Sequence, residues 1–183
     1  FRSFIDQLQK SGELTRITKP ISTEYEVASV IEALGEKPVF FENVKESSYP
    51  VVGGLVSSKD LIARAIGTTK NQLLPILSKA IENPVAPVLV EKGECQEVVE
   101  SDVDLTKLPI MRYTEKDGGK YIPSAVSIVK DPQTGTRNMC FHRLMLLDKN
   151  RFAVRIVENR GTDTVLKKAG GELDLAICIG NST

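Results

Sequence analysis

The spacing of apolar residues changes partway along this chain, and that change limits what it can fold into. Phe1, Phe4, Ile5 and Leu8 stand at helical intervals, as do Val27, Val30, Ile31 and Leu34, whereas residues 121–129, 137–147 and 152–157 alternate as strands do. The switch, near residue 98, divides the chain into an α/β unit, residues 1–97, and a mainly antiparallel sheet, residues 98–183.

Within the first unit, a short amphipathic helix stops at Ser11-Gly12. Thr23 and Glu26 have capping-box spacing and predict a second helix that ends at Gly35. Val39-Phe40-Phe41 and residues 51–56 are short apolar runs of buried-strand type. Leu61, Ile62, Ala65 and Ile66 stripe a third helix, and Leu73, Leu74, Leu77, Ala80 and Ile81 a fourth, which Asn83-Pro84 ends. Residues 85–99 read as strand and 102–113 as irregular. The three later strands, joined by turns at 131–135 and 148–150, predict two successive hairpins and thus a meander. A helix over 162–169 with Gly170-Gly171 as its stop, and a last strand over 173–179, complete the pattern. A chain that begins at Phe1 without a Met and ends soon after a buried-type strand reads as an excised piece of a longer protein.

Composition excludes several classes. Hydrophobic residues at 41% and charged residues at 26% are ordinary for a globular chain and fit neither disorder nor a fibre. Lys+Arg and Asp+Glu both number 24, so there is no basic field to hold a nucleic acid. No apolar run approaches the roughly 20 residues of a membrane span, which makes a cytoplasmic protein the expectation. Cys95, Cys140 and Cys178 are widely spaced and never form a CxxC pair, so the expectation is buried thiols rather than disulfides or a zinc site. The glycine pairs 53-54, 118-119 and 170-171 match no phosphate-binding spacing. They are expected in tight turns.

His142 is the only histidine, so any Ser-His-Asp triad, Cys-His dyad or multi-histidine metal site depends on it, and most hydrolase readings weaken. Alternation puts Asn138, Cys140, His142, Leu144 and Leu146 on one face of a strand and Met139, Phe141, Arg143, Met145 and Leu147 on the other. His142 alone reads as a half-buried histidine satisfied by backbone, and Arg143 as an ion-paired surface residue beside apolar neighbours. Asp117-Gly118-Gly119-Lys120, leading into Tyr121-Ile122-Pro123-Ser124, reads as a polar turn feeding a strand.

Several blocks in order carry a resemblance: Ser11-Gly12-Glu13-Leu14; Phe40-Phe41-Glu42-Asn43-Val44; Asp102-Val103-Asp104-Leu105 with Leu108-Pro109-Ile110; Asp117-Gly118-Gly119-Lys120-Tyr121-Ile122; and Asn138-Met139-Cys140-Phe141-His142-Arg143. Together they resemble the UbiD family of reversible decarboxylases, and residues 137–145 are most similar to its archaeal branch. The resemblance implies an α/β (α+β) chain, with a small N-terminal α/β domain followed by part of a split β-barrel of flavin-reductase type. It also implies prenylated FMN as cofactor, with Mn2+ (or Mg2+) and K+, in chains more than twice this length. Asn138 falls where the family has a metal ligand, and Arg143 where an arginine lies beside the flavin and orients the substrate carboxylate. Cys140 and Phe141 fall among cofactor-contacting positions. An amide oxygen suits manganese, and a guanidinium fork suits a carboxylate.

The family's second metal ligand, a histidine, is absent. Asn159 or Arg160 occupies its place, and a charged guanidinium cannot ligate a cation. The third ligand and the catalytic glutamates lie C-terminal to this segment in the family.

The expected function is therefore the N-terminal portion of an enzyme that removes CO2 from an aromatic or α,β-unsaturated carboxylic acid, the isolated segment being inactive. Its partners would be a small acid and, through regions outside this chain, further copies of itself. Two readings compete: a non-catalytic flavin-binding or assembly subunit completed by a partner chain, and a structural fragment without a ligand. Asn138 and Arg143 are separated by an odd number of residues, which sends their side chains to opposite faces. A β-bulge between Met139 and His142, bringing both to one cleft, is the geometric expectation.

Overall fold

A computed structural model describes residues 1–181; the last two positions of the 98–183 unit lie outside the described residues. Helix α1 (Arg2–Lys10) ends at Ser11 and turns through Gly12, whose φ of +75° is a conformation that glycine adopts without strain. Its apolar stripe buries Phe4 and Leu8 against Leu14 and against Leu61 of α3 (Lys59–Ala65), which Ser58 caps by accepting the Leu61 N–H at 3.2 Å. A small sheet follows, in which β1 (Thr15–Ile17) runs parallel to β2 (Val39–Phe41), and β2 antiparallel to β3 (Val51–Gly53). Val39 and Phe41 are fully buried with Val27 of α2 (Glu26–Leu34) and with Ile21. The fourth helix, α4, spans Leu73–Glu82. The four expected helices are present.

The capping box is not. Tyr25, at φ 67°, occupies the N-cap of α2, and the Glu26 carboxylate reaches back to the N–H of Ser22, one residue beyond the expected Thr23. Thr23 is instead buried: its N–H donates to Glu46, and its hydroxyl accepts from Lys120 at 3.1 Å. Residues 85–99 are also not a strand. They run as exposed coil with one short 3-10 turn, because no neighbouring strand offers a ladder for that apolar run.

The three long strands expected after residue 120 are five shorter ones. β4 (Tyr121–Ile122) and β5 (Val126–Lys130) are separated, as are β6 (Arg137–Phe141) and β7 (Leu144–Asp148), while β8 spans Arg151–Val154. β5 pairs with β6, β4 with β7 and β7 with β8, all antiparallel, and β9 (Leu175–Cys178) adds to the free edge of β5. The orders are β4-β7-β8 and β6-β5-β9, so the meander is corrected to one long bent hairpin that passes between two sheets. Pro123 lies at the bend and has no N–H to give to a ladder. Ile110 joins the core of the second half with Ile122, Ala125 and Leu144, while the adjacent Met111 packs against the β2 core. That dipeptide stitches the halves together.

Candidate functional site

The β5–β6 ladder is regular from Lys130↔Arg137 to Val126↔Phe141, and β4–β7 begins at Ile122↔Leu144. Three residues, 123–125, therefore stand opposite two, His142 and Arg143. The irregularity expected on the site strand between Met139 and His142 lies beyond Phe141, and its extra residue belongs to the opposing strand. The bend at Pro123 causes this, since it ends β5 pairing and obliges the facing chain to leave the ladder too.

β6 presents two unlike faces. Met139 and Phe141 are 70% and 71% exposed. Asn138 and Cys140 are half-buried beneath the start of α5 (Gly161–Lys168). Gly161 fits closely here: a Cβ on it would fall 2.7 Å from Asn138 Oδ1. One residue on, Thr162 Oγ1 lies 3.0 Å from Cys140 Sγ and 3.1 Å from His142 Nε2, and the thiol lies 3.1 Å from that same nitrogen. His142 is half-buried as expected, but its partners are side chains rather than backbone. The expectation of buried thiols is corrected, because Cys95 is exposed and Cys140 and Cys178 are half-buried.

Arg143 is exposed, and among the described residues it makes no hydrogen bond or ion pair, contrary to its expected pairing. Asn159, with φ 60°, and Arg160, at the N-cap of α5, form the exposed turn before Gly161. Asp163 fixes that turn by accepting the Asn159 N–H at 2.8 Å. The Lys167 ammonium, 2.7 Å away, and then that N–H hold the Asp163 carboxyl below the usual range. An open depression lined by Arg155, Ile156, Val157 and Glu158 precedes the turn in sequence.

Gly161 against Asn138 brings the 159–160 turn to the Asn138 face of β6, whereas Phe141 occupies the other face and Arg143 the passage beyond it. The contributions missed from sequence are those of Gly161 and Thr162, which no spacing rule singles out. The Asp117 turn is a clasp rather than part of this site. Asp117 accepts the N–H groups of Thr114 and Tyr113, which hold its carboxyl below the usual range, while Lys120 joins Thr23 and Glu24.

Among the described residues, no group of three His, Cys, Asp or Glu side chains could hold a metal ion. Asn138 supplies one hard oxygen, and Arg160 cannot ligate. The donors of this chain do not by themselves fit a hard divalent cation. No helix among the described residues is long and apolar enough to cross a membrane.

Two family models match. Residues 5–81 fit the 3-octaprenyl-4-hydroxybenzoate carboxy-lyase N-terminal domain, and residues 88–183 fit the Rift-related domain of the same carboxy-lyase. Anhydromevalonate phosphate decarboxylase of Methanosarcina mazei is 39% identical over 184 residues, covering 98% of this chain and 42% of the relative. The Methanothermobacter thermautotrophicus enzyme of that name is 35% identical, with the same coverage of 98% and 42%. Among solved structures, the UbiD-class enzyme HmfF from Pelotomaculum thermopropionicum in complex with FMN superposes with a TM-score of 0.91 at 33% identity, over 98% of this chain and 42% of its own. An evolved dimeric form of HmfF in complex with prFMN gives 0.92 at 32% identity, over 99% and 44%. The chain thus spans about two-fifths of the length of the relatives it matches. With a family model over each half and structural neighbours across nearly its whole length, this chain belongs to the UbiD family.

Proposed function

We propose that this chain is the flavin-side portion of a UbiD-type reversible decarboxylase that removes CO2 from an aromatic or α,β-unsaturated carboxylic acid with prenylated FMN. The observation that carries the reading is Arg143, an exposed guanidinium without a partner among the described residues, next to the exposed apolar pair Met139 and Phe141. A bidentate fork beside an apolar surface suits a carboxylate attached to a planar apolar body.

When bound, prenylated FMN supplies the electron sink that cleavage of a carbon–carbon bond requires. The residues of this chain bind and orient. Phe141 and Met139, exposed on one face of β6, would cover the ring system and exclude water from it. Arg143 fixes the substrate carboxylate so that the bond to be broken faces the cofactor. Asn138 and Cys140, with Asn159 and Arg160 in the neighbouring turn, would hold the remainder of the cofactor. The division near residue 98, the partial split barrel, and homo-oligomerisation through regions outside this chain belong to the same proposal. So does K+; no step is assigned to Mn2+ or Mg2+.

The absence of the family's histidine at 159–160 favours one further reading, a flavin-binding subunit whose site a partner chain completes. The deciding experiment is CO2 release from a panel of aromatic and α,β-unsaturated acids by the full-length protein that carries this chain. Arg143→Met should lower kcat/KM by about 10²-fold, the cost of losing substrate alignment. Equal rates in wild type and Arg143→Met would overturn the assignment of Arg143, and no release from any acid by wild type would favour the subunit.

A further inference from the structure

The segment that joins the two halves has no partner of its own. Val85, Val88, Leu89, Val90, Val98 and Val99 are between 69% and 90% exposed, an extent of bare apolar surface that monomeric soluble proteins seldom tolerate. Their backbone is equally unpartnered. Among the described residues, no N–H or C=O of 85–92 or 98–100 makes a hydrogen bond. A 3-10 turn, Glu94–Gln96, separates the two runs, and the Gly93 N–H closes it by donating to Gln96 Oε1 at 2.9 Å. The helix just before is bare as well, since Leu73 alone is buried in α4. In an extended run successive side chains leave opposite faces, so Val88 and Val90 take one face and Leu89 the other. A run that is apolar on both faces is the pattern of a strand inside a sheet, covered on each side and paired along its edges.

We propose that residues 88–91 and 98–100 form strands in the full-length protein, paired by a strand from the part of that protein that follows residue 183. Residues 5–81 match a domain described as N-terminal, and this chain spans only 42% of its relatives, so the larger part of such a protein follows residue 183. Pro87 sets where the first ladder starts, because it has no N–H to give and Val88 is the first donor after it. A second copy of this chain fits less well. Pairing edge to edge satisfies the backbone but leaves both apolar faces bare, whereas a longer chain supplies the adjoining strand together with the layers that cover it. This pairing is independent of Arg143 and of the cofactor.

The test is amide hydrogen–deuterium exchange, read by mass spectrometry. In the full-length protein that carries this chain, the amides of 88–91 and 98–100 should exchange at least about 10²-fold more slowly than in an unstructured peptide, at a rate independent of protein concentration. In the 183-residue chain the same amides should exchange at the peptide rate. Leu89→Pro, which removes one ladder donor, should abolish the protection of 88–91 in the full-length protein while β5 stays protected. Rapid exchange of 88–91 and 98–100 in the wild-type full-length protein would overturn the pairing, as would protection already complete in the 183-residue chain. Protection that grows with the concentration of the 183-residue chain would assign the segment to a second copy and overturn it too. The wild-type comparison needs no variant, so a folding defect in Leu89→Pro leaves the outcome decided. No flavin or substrate is present, so failure here would not bear on the decarboxylase reading.

Discussion

Gly161 packs so closely on Asn138 that a Cβ at 161 would come within 2.7 Å of the Asn138 amide oxygen and 2.9 Å of its Cγ. The start of α5 and the middle of β6 are thereby held at backbone distance. Gly161→Ala should destabilise the protein by about 1–3 kcal/mol through overpacking. In an Asn138→Ala background the same substitution should cost almost nothing, because the obstructing amide is gone. Urea unfolding of the four proteins measures the coupling, and equal costs in both backgrounds would refute the contact.

Glu13 should govern part of the acid limb of stability. Its hydrogen bonds to Arg64, 2.6 and 2.9 Å long, and then the Ser11 hydroxyl hold its carboxyl at about 2, against an ordinary 4.5. A depressed carboxyl stabilises the fold above its unfolded pKa, and that contribution is lost as pH falls through the folded one. The window therefore runs from pH 4.5 down to about 2. In Arg64→Met, NMR titration of the Glu13 carboxyl should move back toward 4.5, and the acid limb in this window should flatten.

Two phenylalanines one hundred residues apart in sequence should separate folding from binding. Phe41 is fully buried in the β2 core, whereas Phe141 is 71% exposed. Phe41→Ala should cost about 3–5 kcal/mol. Phe141→Ala should stay within about 0.5 kcal/mol of wild type. Thermal unfolding checks both, and a large loss from Phe141→Ala would assign that ring to structure rather than to a ligand face.

The 183-residue chain alone should release no CO2 from aromatic or α,β-unsaturated acids, even with prenylated FMN and Mn2+ supplied. Among the described residues no carboxylate pairs with Arg143, and proton transfer by such a group typically contributes about 10²–10⁴-fold. Headspace CO2 detection decides it, and release by the isolated chain would refute the account of which residues act.

Periodicity made the local elements legible: α1 to α4, the β2 strand and the helix before Gly170 each follow from spacing and stop signals. What alternation could not reveal was pairing. Residues 85–99 have strand-like composition but no ladder partner, and Pro123 bends a continuous-looking hairpin into two sheets. Thr23 is not a cap, because its N–H donates to Glu46 and its hydroxyl accepts from Lys120, both far away in sequence. At the site, the shared face of Asn138, Cys140 and His142 was visible from their even spacing. The Cys140–His142–Thr162 cluster was not, since Thr162 arrives only when α5 packs on β6.

Whether the end of β6 and the passage beyond it hold a flavin is tested most directly by titration of the 183-residue chain with prenylated FMN. Followed by flavin fluorescence, binding should saturate in wild type and weaken in both Phe141→Ala and Arg143→Met, while far-ultraviolet circular dichroism stays unchanged. The absence of saturable binding, or binding that neither substitution weakens, would contradict the account.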